Sequence, residues 1–562
     1  MSLKSRDFRL YGHYGLSTLW SMIKKIIFSK INSISAAAFL IALSSLASRF
    51  LGIFRDHILA GQFGASRALD IYYSAFRIPD FIFNLLILGS LSAGFIPVFA
   101  ALLKEKGQEG EASDDAWRLV SNIFNILLVA MIVISTLGII FANPLIKLIS
   151  PGFTPAEQDL TAQLTRIMFL SPVFLGLSGI VGGVLQSLKR FLAYSLSPVM
   201  YNLGIIFGAI FLVPKYGILG LGWGVVIGAF LHFMVQLPTF ISLGFRYHPI
   251  FNLKNPAARR IGRLMVPRTL SLAVTQINLF TITIMASTMA GGSLAVFNFV
   301  NNLQSFPIGI FGISFAVAAF PAFALLAHEK DKLIASISAT MRQILFFIIP
   351  ATAVFLTLRA QIVRIILGSG KFDWTGTVMS IDTLAIFSIS LFSQALIPLL
   401  VRVFYARHNT KRPFLIGIFV DTFNVGLSWW LGGLWGIRGL ALAFSIANII
   451  YLVILWIFLR VELGGLDSRK VIKATFKFIV ASTVAALAMQ QMKSIVWPFI
   501  DMTKVWGVFV QGALAGIVGL AVYFLGCYLL KSEEFFNMYR TLRTRLNWRK
   551  VTGEDQGEAR GV

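Results

Sequence analysis

The sequence predicts an all-α polytopic membrane protein, and three observations carry that prediction. Hydrophobic residues make up 57% of the 562 positions and charged residues only 13%, about half the roughly 25% charged fraction of a soluble domain. The apolar residues fall into runs long enough to cross a bilayer as helices, about 20 residues each. The net charge of +25 is not a nucleic-acid signature, because the Lys and Arg concentrate in alternate loops, the positive-inside pattern.

Residues 1–33 form a basic, aromatic extension (Lys4, Arg6, Arg9, Lys24, Lys25, Lys30). It has no apolar core leading to a cleavage site and reads as a cytoplasmic segment attracted to anionic lipid. Fourteen spans follow. Six, near 34–60, 69–102, 116–142, 158–186, 191–213 and 218–245, make a first bundle over 34–245. Six more, near 260–290, 293–327, 333–358, 377–404, 413–432 and 436–459, make a second over 246–460. Two additional spans near 474–492 and 503–530 occupy 461–530, and a basic cytoplasmic tail covers 531–562. With a cytoplasmic N-terminus, inner loops and tails hold roughly 34 of the 49 Lys and Arg and outer loops about 9. An even span count therefore places both termini inside.

GSLSAGFIPVFAALLKEK (Gly89–Lys106) resembles ISFAVAAFPAFALLAHEK (Ile313–Lys330) at an offset of 224. Ser90, Pro97, Phe99, Ala100, Leu102, Glu105 and Lys106 recur as Ser314, Pro321, Phe323, Ala324, Leu326, Glu329 and Lys330. Six spans separate the copies, so the repeats run parallel, as in transporters whose halves rock about an axis along the membrane normal.

Enzyme and metal signatures are missing from the sequence. Its single cysteine, Cys527, rules out an internal disulfide and disfavours a metal site. Six scattered His lack zinc-ligand spacing, and no phosphate-binding GxxxxGK[ST] loop or GxSxG elbow occurs. No cofactor is expected.

The chemistry lies in charges at membrane depth. Arg49, Arg55 and Asp56 sit in or near the end of the first span, and Arg77 and Asp80 early in the second. Ionisable groups there are costly and mark substrate paths unless they snorkel or pair at a helix end; for Arg55 and Asp56 both readings stand. A straight helix puts Arg49 and Asp56 on one face with Arg55 about 120° away. Gly52 between them is a candidate bend that would turn both guanidinium groups inward.

SRFLGIFRD (48–56), FGAS (63–66), LDIYYSAFRIPD (69–80) and LSAGFIPVFA (91–100) together resemble the opening of the MurJ (MviN) lipid II flippases. These belong to a superfamily of multidrug, oligosaccharidyl-lipid and polysaccharide exporters. The resemblance is dense over Arg49–Lys106 and extends more weakly to about Arg460. It implies a bacterial inner-membrane protein that moves an undecaprenyl-pyrophosphate-linked peptidoglycan precursor to the outer leaflet by alternating access, without chemistry on it. Lipid II and the bilayer would be the partners, with cell-wall synthesis enzymes as further candidates.

Arg suits such a cargo because its planar fork binds phosphate oxygens bidentately. Arg49 and Arg55 match the family's first-span arginines, and Asp70 matches an acidic residue opening the second span. Where members commonly carry second-span and eighth-span arginines, this chain has Asn84 and, in NNLQSFPIG, Asn302; Ser305 stands where members have Glu. Arg268 of the seventh span is a cation that compensates, or else snorkels at the cytosolic end. The expected substrate-binding set is Arg49, Arg55, Asp56, Asp70, Asn84, Arg268 and Asn302. The neutral positions keep open an exporter of another lipid-linked oligosaccharide or amphiphile, and a transport-dead scaffold for cell-wall enzymes. The family also implies cation coupling with the ion unspecified. Asp421 and Asn424 of the eleventh span are candidate ligands, or Asp421 pairs with Lys411 or Arg412.

Overall fold

In a computed structural model of the chain, residues 34–85, 94–105, 113–541 and 543 are described, and among them the regular structure is helical throughout. Among the described residues ten helices are long and apolar enough to cross a membrane, and the bent pair Trp374–Ile389 and Leu391–Ala406 makes an eleventh. The expected spans fall on helices in the expected order. The Cα positions form two compact units, Met1–Leu59 with Ser66–Leu294, and Ala60–Ala65 with Ala295–Val562.

Unit 1 begins with α1 (Ile34–Phe63), followed by α2 (Arg67–Phe83), α3 (Ile96–Glu105) and α4 (Asp114–Ile140). The short α5 (Ala142–Ile149) leads to α6 (Pro155–Met168), α7 (Ser171–Ser187) and α8 (Phe191–Phe207). Then come α9 (Val213–Tyr216), α10 (Leu219–Met234), α11 (Leu237–Ser242) and α12 (Pro256–Ser287). Helix starts follow local sequence rules. Thr154-Pro155-Ala156-Glu157 makes a capping box with Pro in the first turn, and the Asn255 side chain accepts the N–H groups of Ala257 and Ala258 ahead of Pro256. Each satisfies donors that no earlier turn of the helix can reach.

Gly52 does not interrupt the first span, helix α1, and a Cβ on Gly52 would meet nothing within 4 Å. The glycine neither breaks the helix nor permits a close approach. Continuous backbone hydrogen bonding overrides the weak helix propensity of a single glycine, which costs only about 1 kcal/mol.

Close approach happens elsewhere. A Cβ on Gly204 would lie 2.2 Å from Gly228 Cα, and one on Gly208 would lie 2.4 Å from Gly224 Cα. Helices α8 and α10 therefore pack backbone to backbone over a small-residue stripe, the device by which apolar helices associate where no hydrophobic drive exists.

Unit 2 contains α13 (Ser293–Pro307, from Ala295), α14 (Ser314–Leu325), α15 (Lys330–Ile366), α16 (Trp374–Ile389) and α17 (Leu391–Ala406). These lead to α18 (Lys411–Trp435), α19 (Ile437–Leu463), α20 (Ser468–Val496) and α21 (Val505–Leu529). The last two, outside the repeat, pack on α15: Phe346 contacts the rings of Phe478 and Tyr523, and Tyr523 Oη donates to Phe346 O at 2.6 Å. Exposed Trp374, Trp435, Trp497 and Trp506 belong to one end of unit 2 by chain alternation, in the manner of an interfacial aromatic belt. The opposite end carries an ion-pair cluster. There Glu462 accepts from Arg407 Nε at 2.8 Å and also pairs with Arg412, one of the two cations proposed as partners of Asp421.

The repeat has structural counterparts. Phe99 and Phe323 are both fully buried. A wider π turn at Asn84–Leu85 recurs, 224 residues on, at the start of the π segment Ile308–Ile313. Ser90 and Lys106 lie outside the described residues.

Candidate functional site

The polar features of unit 1 sit on apolar helices, so each needs a partner within the protein or in water. Ser44, Ser48 and Arg55 fall on nearby turns of α1, and α8 answers each of them. Ser44 Oγ donates to Ser195 Oγ at 3.0 Å. Asn202 Nδ2 reaches Ser48 Oγ at 3.2 Å and Ser48 O at 3.3 Å, while its Oδ1 accepts Arg55 Nη1 at 3.2 Å. Arg55 also grips Asp56 Oδ1 through Nη2 at 2.8 Å and Nε at 3.1 Å. The Asp56 side chain is 4% exposed and that of Arg55 20%. Among the described residues three of the five guanidinium N–H groups are engaged, and two stay available to an anion.

The pairing reading for Arg55 and Asp56 thus describes this geometry, and it does not exclude the binding reading. A carboxylate next to a guanidinium keeps the cation desolvated and positioned until a stronger anion displaces it. Arg49, one and a half turns earlier, is half-buried.

A second group lines α2 at positions i, i+3 and i+7. Arg77, 8% exposed, donates Nε to Thr283 Oγ1 of α12 at 3.0 Å, and Asn84 Nδ2 donates to Asp80 Oδ2 at 2.9 Å. The Asn84 amide is therefore turned to a carboxylate one helical turn back.

Asp70 occupies a different setting. It is fully buried, and its Oδ2 accepts the Gly292 N–H at 2.7 Å and lies 3.6 Å from Arg67 Nη1. Arg67 in turn donates to Ser287 O and Met289 O and covers the Phe153 ring at 5.1 Å. These bonds give Asp70 a structural task, holding the start of α2 to the turn after α12. The Arg268 side chain lies outside the described residues. Asn302 belongs to unit 2, half-buried in α13. Beside it a part-buried amide chain runs from Asn301 Oδ1 to Gln304 Nε2, then from Gln304 Oε1 to Gln394 Nε2, at 3.0 Å each. It continues through Ser390 to Ser445, at the 45° break between α16 and α17.

Sequence reasoning passed over Asn202, Thr283, Gln304 and Gln394. A lone amide four residues after Pro198 in an otherwise apolar span was the available signal for Asn202. Among the described residues no group of three or more His, Cys, Asp or Glu is placed to hold a metal ion.

The family model for lipid II flippase MurJ matches residues 59–510. The chain belongs to the MurJ family. It is 29% identical over 426 residues to the lipid II flippase MurJ of Burkholderia cenocepacia, covering 74% of this chain and 82% of that protein. With the probable lipid II flippase MurJ of Vibrio cholerae it shares 27% identity over 503 residues, 86% of this chain and 93% of that protein. A MurJ structure in an inward closed conformation superposes with a TM-score of 0.73 at 23% identity, covering 90% of this chain and 99% of that one. An inward-facing MATE-family multidrug transporter of the MOP superfamily gives 0.64 at 16% identity, with 78% and 99% covered. The fold is thus shared across transporters, and the family match makes it MurJ-like.

Proposed function

We propose that this protein is a lipid II flippase of the bacterial inner membrane, carrying the undecaprenyl-pyrophosphate-linked precursor to the outer leaflet by alternating access. The family match over 59–510 carries the reading, because fold alone does not specify cargo. The Arg55–Asp56–Asn202 group supplies what an anionic head group requires: a largely buried guanidinium with two spare donors, held within hydrogen-bonding distance of a carboxylate that a pyrophosphate can replace. Arg49 is the second first-span cation. Loop charge puts both termini in the cytoplasm.

Proteoliposomes loaded with fluorescent lipid II test the reading. Flipping that depends on the protein and is weakened by Arg55→Ala supports it. A purified, folded protein that leaves lipid II in its original leaflet but moves another polyprenyl-linked glycan would overturn it in favour of a different cargo.

A further inference from the structure

We propose that a cavity at the aromatic end of unit 2 binds the glycerophosphate head group of an anionic phospholipid. The cavity, about 520 Å³, opens between α15, α20 and α21 and is bounded by the start of α16. It lies within one unit and shares no residue with the Arg55 group, so it is separate from the proposed transport site.

Its chemistry is asymmetric. Arg364 and Lys493 line it, and none of its lining residues is acidic. Two cations face one space without a carboxylate, and the group that neutralises them at low cost is an anion. Lys493 Nζ donates to Thr357 O at 3.0 Å and Arg364 Nη2 to Met502 O at 2.9 Å. Those carbonyls fix where the heads point and leave further N–H groups on each for phosphate oxygens.

The second observation is Gln361. It is 7% exposed and lines the same cavity. Its Nε2 donates to Gln511 Oε1 at 2.9 Å, whereas its own Oε1 has no hydrogen-bond partner among the described residues. That oxygen is closed off from solvent, so a ligand hydroxyl reaches it once the Gln361 amide turns toward the cavity, which the cost of a buried unpaired acceptor favours. Two cations for a phosphate and one acceptor for a hydroxyl describe a phosphoglycerol head.

Location selects a lipid over a soluble phosphate. Exposed Trp374 and Trp497 stand at the rim, as tryptophans do at head-group depth. Leu487 of α20, one turn before the lining residue Gln490, is exposed and offers an acyl chain apolar surface. Indole rings at the mouth and this aliphatic side chain fit an amphiphile entering from the bilayer.

Native mass spectrometry of the purified full-length protein tests this, with phosphatidylglycerol, phosphatidylcholine and inorganic phosphate as probes. The intact protein should retain one phosphatidylglycerol preferentially. Lys493→Gln and Arg364→Gln should each weaken that retention roughly tenfold or more, the loss expected for one charge-assisted bond, and Lys493→Arg should preserve it. Gln361→Leu should reduce the preference for phosphatidylglycerol over phosphatidic acid, which lacks the head-group hydroxyls. Should Arg364→Gln fail to fold, Lys493→Gln decides alone, because among the described residues it loses one bond, to the Thr357 carbonyl. Equal phosphatidylglycerol retention by the wild type and Lys493→Gln overturns the proposal. So does equal retention of phosphatidylcholine, or displacement of the lipid by inorganic phosphate at comparable concentration.

Discussion

Arg55→Ala separates a structural ion pair from one that also binds substrate. The substitution removes two contacts to Asp56 Oδ1, at 2.8 and 3.1 Å, and one to Asn202 Oδ1 at 3.2 Å. Asp56 stays behind with 3% of its surface exposed, so its carboxylate keeps the desolvation cost and loses its adjacent cation. Breaking a buried pair from one side typically costs about 3–5 kcal/mol. The low end applies here, because the Arg55 side chain is one-fifth exposed and water softens the loss. Arg55→Ala/Asp56→Asn removes the stranded charge and should recover about 2 kcal/mol of that loss, a coupling of the size neighbouring residues show. Flipping should behave differently. Lipid II loses a charge-assisted contact worth about 1.5–3 kcal/mol in both variants, so transport falls at least about tenfold in the double variant despite its restored stability. Thermal unfolding in detergent measures the first effect and fluorescent lipid II flipping in proteoliposomes the second. A double variant that is stable and flips at the wild-type rate would refute a binding role for Arg55.

Gly228→Leu drives a side chain into Tyr201 O, 2.5 Å from where its Cβ would sit; overpacking of this kind costs about 1–3 kcal/mol, read as a lower unfolding temperature. Asn302→Leu should lower lipid II transport while Asn302→Arg, which keeps donors for a phosphate, is tolerated; a well-expressed and fully active Leu variant ends the binding role. Reporter fusions at Glu109 and Asp373 should give cytoplasmic and external signals respectively, and signals from one side only would contradict the fourteen-span topology.

By itself the sequence determined the helical class, the order of the spans, the repeat and the family. Each of these depends on local pattern: apolar runs as long as a bilayer is thick, Lys and Arg in alternate loops, and SRFLGIFRD followed by FRIPD. Capping was legible too, since Thr154 and Glu157 act within one turn. Tertiary structure alone decided which polar groups meet. Asn202 lies 147 residues from Arg55, and Thr283 lies 206 from Arg77; nothing local in either span announces the partner, because helix packing sets the pairing. The same limit hid the glycines that helix packing needs, Gly204 and Gly228. It also concealed Asp70, an acidic residue at a helix start like many others until the Gly292 N–H closes on it. In an apolar medium every buried donor and acceptor must find a partner. Composition therefore says that such partners exist, and only the packed helices say which they are.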